Sequence, residues 1–192
     1  MTEINVSGTV NLLEASKEAD VERVILASSS SVYGKPKSLP YEEDHPTEPV
    51  SHYGVTKLTQ EHMARVYTEL HDLPTVCLRY FTVYGPRMRP NMVISNFVSR
   101  CMNGEPPVIY GNGQQTRDFT YVADVVDANR TPLESDGADS DVLNIGSSDN
   151  ISIQKLAETV RDQLAPELEI VYESAREADA EHTRASAEKA AS

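Results

Sequence analysis

Glu22-Arg23-Val24-Ile25-Leu26-Ala27-Ser28-Ser29-Ser30-Ser31-Val32-Tyr33-Gly34 changes character halfway along. A charged turn leads into a short β-branched and apolar run, the pattern of a strand buried on both faces, and the run ends in four consecutive hydroxyls. Before it, residues 3–17 set Ile4, Leu12, Leu13 and Ala15 among polar residues, which predicts an amphipathic helix close to the first residue. After it, Pro36, Pro40, Pro46 and Pro49 punctuate a loop. Helical spacing returns over 51–70 with Leu58, Met63, Val66 and Leu70, and Pro74-Thr75-Val76-Cys77-Leu78-Arg79-Tyr80-Phe81 reads as the next strand. This alternation is βαβ grammar, so the expected class is α/β with a parallel sheet.

Past Gly85-Pro86 the chain leaves that rhythm. A basic loop with Arg87, Arg89 and Pro90 precedes a helix around 93–102, followed by Val108-Ile109-Tyr110 and the turn Gly111-Asn112-Gly113. The pattern reads as an excursion from the sheet. Residues 121–130 look helical with Pro132 near the end, Val142-Leu143-Asn144-Ile145-Gly146 is a last sheet strand, and 153–164 is another amphipathic helix. Residues 175–192 are rich in Ala and Glu and read as helix-prone.

Of 192 residues, 39% are hydrophobic and 24% charged, ordinary for a chain that buries a core. A net charge of -13 argues against nucleic acid as a partner, because phosphate-backbone binding needs clustered Lys and Arg. No stretch approaches the ~18 apolar residues of a membrane span, and no basic region followed by an apolar one opens the chain, so neither a membrane nor export is expected. Cys77 and Cys101 lack ligand spacing and read as small buried hydrophobes suited to a reducing cytoplasm; the five histidines are scattered, and no metal is assigned.

Tyr53 and Lys57 stand four apart on a predicted helix, so their side chains leave one face and can meet one ligand. Tyr33 and Lys37 repeat the spacing, but Gly34 and Pro36 between them forbid a helix. A phenol titrates near pH ~10, and a cation within ~4–6 Å lowers an acidic group by roughly 1–3 units, toward the range a general base needs. Tyr53 as base, Lys57 as that cation and Ser29 as a hydrogen-bonding partner for the same oxygen would suffice to deprotonate an alcohol.

In combination these residues resemble the extended short-chain dehydrogenase/reductase family, in its NAD-dependent epimerase/dehydratase group acting on nucleotide sugars. The resemblance runs through Asn5-Val6-Ser7-Gly8-Thr9-Val10-Asn11-Leu12-Leu13-Glu14-Ala15, Ser29, the Tyr53/Lys57 pair, Arg79-Tyr80-Phe81-Thr82-Val83-Tyr84-Gly85-Pro86 and Arg117-Asp118-Phe119. It implies a partial Rossmann-like parallel sheet with helices, plus a small α/β substrate-binding region. The implied division is 1–86 as the first, catalytic part of the Rossmann-like domain, 87–119 as a substrate-binding segment, 120–150 as the return to the sheet, and 151–192 as a further substrate-binding segment.

The resemblance also implies roles. Ser29, Tyr53 and Lys57 are catalytic; Asn5, Ser29, Tyr53, Lys57 and Phe81 touch NAD; Ser30, Ser31, Thr82, Asn91, Val108, Tyr110, Arg117 and Arg176 line a nucleotide-sugar cleft. Arg117 and Arg176 suit a phosphate clamp, since guanidinium groups bind phosphate oxygens bidentately. Family members that eliminate water or lose carboxylate carry an acid or base just after the serine, whereas Ser30 and Ser31 offer only hydroxyls. Reversible oxidation at C4 of a UDP-sugar, UDP-glucose or UDP-glucuronate, is therefore the expected reaction. A nucleotide-sugar-binding or dimerisation module, and a dehydratase or decarboxylase, are the rival readings. The implied homodimer packs helices 3–17 and 51–70 against a second copy.

A dinucleotide-binding sheet of this kind begins with a Gly-rich turn at a helix N-terminus. The nine glycines here include Gly111-Asn112-Gly113 but no Gly-x-Gly-x-x-Gly. The expectation is a chain that starts in mid-fold, without about four strands and without the usual C-terminal ending. Weak or absent NAD binding by the isolated chain follows, and a micromolar affinity by calorimetry would contradict it.

Overall fold

The computed structural model describes residues 1–134, 140–175 and 182–192. A π-helical turn, Glu3–Ser7, runs into α1 (Gly8–Glu18), and the apolar run forms β1 (Val24–Ser29). Ser29 then caps a short 3-10 turn, Ser30–Val32, by accepting a hydrogen bond from the Ser31 N–H. After the proline-punctuated loop come α2 (His52–His71) and β2 (Thr75–Tyr80). The chain continues through β3 (Thr82–Tyr84), α3 (Val93–Met102), β4 (Val108–Tyr110), β5 (Thr116–Arg117), β6 (Phe119–Tyr121), α4 (Val122–Glu134) and β7 (Val142–Ile145). It closes with β8 (Ile151–Ser152), α5 (Ile153–Leu164), β9 (Val171–Glu173) and α6 (Glu188–Ala191).

The main sheet is parallel in the order β1-β2-β7, with Ser28 opposite Arg79 and Ser29 opposite Tyr80. The alternation of β2 decides its two faces. Cys77 joins Leu13, Val24, Leu26, Ala64 and Tyr67 beneath α1 and α2, while Val76 and Leu78 pack with Val125, Leu143 and Ile145 beneath α4. A parallel sheet covered on both faces is the α/β arrangement that the sequence predicts. A separate core of Phe97, Ile109, Ile153, Leu156 and Ala157 joins α3, β4 and α5. Small strand pairs carry the excursion back: β3 lies parallel to β6, β4 to β9, and β5 antiparallel to β8.

One expectation is corrected. Within 175–192 the described residues are helical only over Glu188–Ala191. Residues 184–186 are instead a strap laid along Tyr41, whose N–H donates to Arg184 O at 2.8 Å and whose carbonyl accepts from Ser186 N at 2.8 Å. Alanine matters there for size: Ala185 is 1% exposed among Val32, Tyr33, Tyr41 and Phe81, against Gly146, where a Cβ would strike it. Pro132 lies near the end of α4, as expected, where it is buried and its carbonyl accepts from the Arg23 guanidinium. Among the described residues no helix is long and apolar enough to cross a membrane.

Candidate active site

Helix α2 begins where Ser51 accepts the Gly54 N–H at 3.0 Å, a side-chain N-cap that fixes the first turn. Gly54 is needed for a close approach rather than for its backbone angles. A Cβ there would collide with the carbonyl of Ser31 and crowd Pro49. The glycine thus lets the start of α2 rest directly on the turn that follows Ser29, with Tyr53 beside it.

Tyr53 and Lys57 share one face as their spacing requires, with the Lys57 ammonium 5.7 Å from the centre of the Tyr53 ring. Lys57 Nζ donates to the carbonyl of Ala27 at 2.7 Å, and burial holds it below the ordinary lysine range. Ser29, 9% exposed, donates through its hydroxyl to Ser31 Oγ at 3.1 Å, so these two serines act as a pair. All of this lies at the carboxyl end of β1, where ligands of open α/β sheets bind. Lys37, by contrast, pairs with Glu48 at the surface, away from the buried Tyr33.

Five of the expected cleft residues, Thr82, Asn91, Val108, Tyr110 and Arg117, line one cavity of about 310 Å³. Thr82 stands two residues beyond Tyr80, the partner of Ser29 in the sheet, so one wall of the cavity starts just past the carboxyl end of β2. Phe97 and Ile153 supply apolar wall that the sequence did not single out, and Gln115 is held by a 2.8 Å bond to Tyr110 O. Arg117 is steadied by a 2.8 Å bond from Nη1 to Thr116 O. Arg176 lies outside the described residues.

Two of the residues expected to touch NAD also have protein partners in this structure. Asn5, in the π-helical turn, gives its amide to Thr56 Oγ1 on α2 at 2.9 Å. Phe81 is 7% exposed and packs with Tyr41 in the core beneath the strap. Sequence reading also missed Asp118, fully buried, which accepts from Ser147 N and Ala185 N and so holds the strap. It lies in the same tripeptide as Arg117, yet the two neighbours serve different purposes.

Comparison with known proteins shows the family and the fold. The family model described as "NAD dependent epimerase/dehydratase family" matches residues 1–146. A putative UDP-glucose 4-epimerase of Methanocaldococcus jannaschii is 36% identical over 181 residues, 92% of this chain and 58% of the relative. The UDP-glucuronate 4-epimerase of Thermodesulfobacterium geofontis is 36% identical over 97% of this chain and 57% of its own length. Among solved structures, UDP-N-acetylglucosamine 4-epimerase from Methanobrevibacter ruminantium M1, in complex with UDP-N-acetylmuramic acid, superposes with a TM-score of 0.94 at 35% identity, covering 98% of this chain and 61% of that one. UDP-glucuronic acid 4-epimerase from Bacillus cereus, with UDP-glucuronic acid and NAD, gives 0.92 at 36%, covering 99% and 60%. The chain therefore spans about three fifths of the length of these relatives. A parallel sheet ending in Ser29, a helix presenting Tyr53 and Lys57 beside it, and a family match over residues 1–146 place this chain in the NAD-dependent epimerase/dehydratase family.

Proposed function

We propose that the chain carries the catalytic and sugar-nucleotide-binding part of an NAD-dependent UDP-sugar 4-epimerase acting on UDP-glucose or UDP-glucuronate. The observation that supports this most is the grouping of Ser29, Tyr53 and Lys57 at the carboxyl end of β1, together with a cavity starting past the end of β2 and bearing Thr82, Asn91 and Arg117. Relatives named for UDP-glucose, UDP-glucuronate and UDP-N-acetylglucosamine epimerisation support the reaction class.

The residues present fit the reacting end of NAD, with a tyrosine and a lysine on one helix face at the carboxyl end of a parallel strand. NAD, when bound, supplies a reversible acceptor for the C4 hydride. Tyr53 takes the proton of the C4 hydroxyl, and the nearby Lys57 ammonium stabilises the charge that develops on the phenol oxygen. Ser29, held by Ser31, hydrogen-bonds the same substrate oxygen and keeps it in line. Arg117 grips the diphosphate while the 4-keto sugar turns over; hydride would then return to the opposite face of C4, and Tyr53 gives its proton back to the C4 oxygen. Ser30 and Ser31 hold no carboxylate near the neighbouring carbon, which favours simple reversal over elimination.

Homodimerisation belongs to the same proposal. The outward faces of the N-terminal helical segment and of α2 expose Ile4 (77%), Leu12 (53%), Val55 (49%), Val66 (37%) and Leu70 (72%), an apolar surface suited to a second copy.

Calorimetric titration of this chain with UDP-glucuronate and UDP-glucose tests the cavity assignment. Arg117→Ala is expected to weaken binding about 10- to 100-fold, the loss of charge-assisted hydrogen bonds to phosphate. Equal affinity in parent and variant would refute it, and a product with a 4-keto-6-deoxy or pentose sugar would identify a dehydratase or decarboxylase instead.

A further inference from the structure

Helix α2 carries a third residue on the stripe begun by Tyr53 and Lys57. Glu61 lies one turn further on, with its side chain only 5% exposed, and three groups converge on it. Arg79 Nε donates to Oε1 at 2.9 Å and Arg79 Nη2 to Oε2 at 2.8 Å, a bidentate pair; the Ser28 hydroxyl also donates to Oε1. Ser28 and Arg79 are Cα partners across β1 and β2. One carboxylate on the helix therefore gathers two adjacent strands at a single level of the sheet.

The rest of Arg79 is equally committed. Nη1 donates to Tyr33 Oη at 2.8 Å and to Glu43 O at 3.1 Å, its guanidinium lies 4.8 Å from the Tyr33 ring centre, and the Tyr33 hydroxyl in turn donates to Asn144 Oδ1 at 2.7 Å. Burial works against the Arg79 charge, and Glu61 beside it more than restores it.

An ion pair so deeply buried gains little stability over apolar residues of similar size, because removing both charges from water offsets their attraction. What it does supply is direction, since a bidentate pair with a third donor permits one orientation of the helix. Just above it, Lys57 reaches Ala27 O, the residue before Ser28, and Tyr53 follows one turn earlier beside the Ser29 turn.

We propose that Glu61 and Arg79 are positioning residues: they fix the rotation and register of α2 on β1 so that Lys57 and Tyr53 face Ser29. This rests on the catalytic reading of those three residues given above.

The test replaces both charges with apolar groups, Glu61→Leu together with Arg79→Met, and uses Ser28→Ala as a milder variant that loses only the β1 arm. Three readouts are taken: cooperative thermal unfolding, UDP-sugar affinity, and the Lys57 side-chain titration followed by lysine Cε NMR, assigned with Lys57→Met. Turnover of the NAD-loaded protein is the fourth. The double variant is expected to unfold cooperatively and bind UDP-sugar as the parent does, while the Lys57 titration moves toward that of a free lysine and kcat falls about 10²-fold with KM unchanged. Ser28→Ala shifts both in the same direction by less. A folded double variant with parental Lys57 titration and kcat would overturn the proposal. A parent that binds both NAD and UDP-sugar yet shows no turnover, in which the Lys57 signal still moves in the variants, supports the positioning and instead sinks the catalytic reading.

Discussion

Replacing Tyr53 with phenylalanine is expected to lower epimerase turnover, measured at NAD concentrations high enough to offset weak cofactor binding, by about 10²- to 10⁴-fold, the usual contribution of a positioned general base. The argument turns on how little else changes. The ring stays where the Lys57 ammonium faces it, and the N-cap of α2 rests on Ser51 rather than on the phenol. Tyr53 is 39% exposed and no described hydrogen bond depends on its hydroxyl, so folding stability should move by no more than ~0.5 kcal/mol. UDP-sugar affinity should also hold, because the cavity is built from other elements. Chromatographic separation of the C4 epimers measures the rate, and a variant turning over within a few-fold of the parent would remove Tyr53 from the mechanism.

Asp118→Ala carries the largest expected effect on stability, a loss of about 3 kcal/mol or more. Its carboxylate is fully buried; Oδ1 accepts from Ser147 N at 2.8 Å and Ser147 Oγ at 2.9 Å, and Oδ2 accepts from Ala185 N at 3.0 Å. Alanine leaves two backbone N–H groups without their acceptor, each worth ~1–3 kcal/mol when buried. The strap would then keep its bonds to Tyr41 and Thr116, the 2.9 Å bond from Arg184 Nε to Ser148 O, and the weaker 3.3 Å bond from Asp118 N to Thr183 Oγ1. Urea denaturation monitored by tyrosine fluorescence should show the lower midpoint, and Asp118→Asn, which keeps one carbonyl acceptor, should fall between variant and parent. An unchanged midpoint would show that the strap is held by its apolar contacts alone.

What the sequence revealed was what is local. Helix α5 and helix α3 follow from apolar spacing, and β1 and β2 from continuous apolar runs bounded by turns, because each pattern is complete within a dozen residues. Tyr53 and Lys57 were legible for the same reason, being one turn apart on one helix. Strands β5 and β8 have two residues each and no period to read; they exist because Thr116 meets Ser152 across the fold. The strap was misread since alanine favours a helix in isolation, whereas here its small side chain is chosen to fit against Gly146. Glu61 looked like any polar helix position, and only the pairing of β1 with β2 reveals that Ser28 and Arg79 both end on it. Asp118 escaped attention because a carboxylate beside an arginine reads as part of one binding patch, while the two point into different surroundings.

The strap has a consequence during synthesis. Because Ala185 completes the packing around Val32, Tyr33, Tyr41 and Phe81, the segment that carries them holds an unfilled apolar hollow until residue 185 has cleared the ribosome. The newborn protein must therefore wait, sheet partly assembled and hollow exposed, which makes that interval the one in which a chaperone or a neighbouring nascent copy competes for the vacancy.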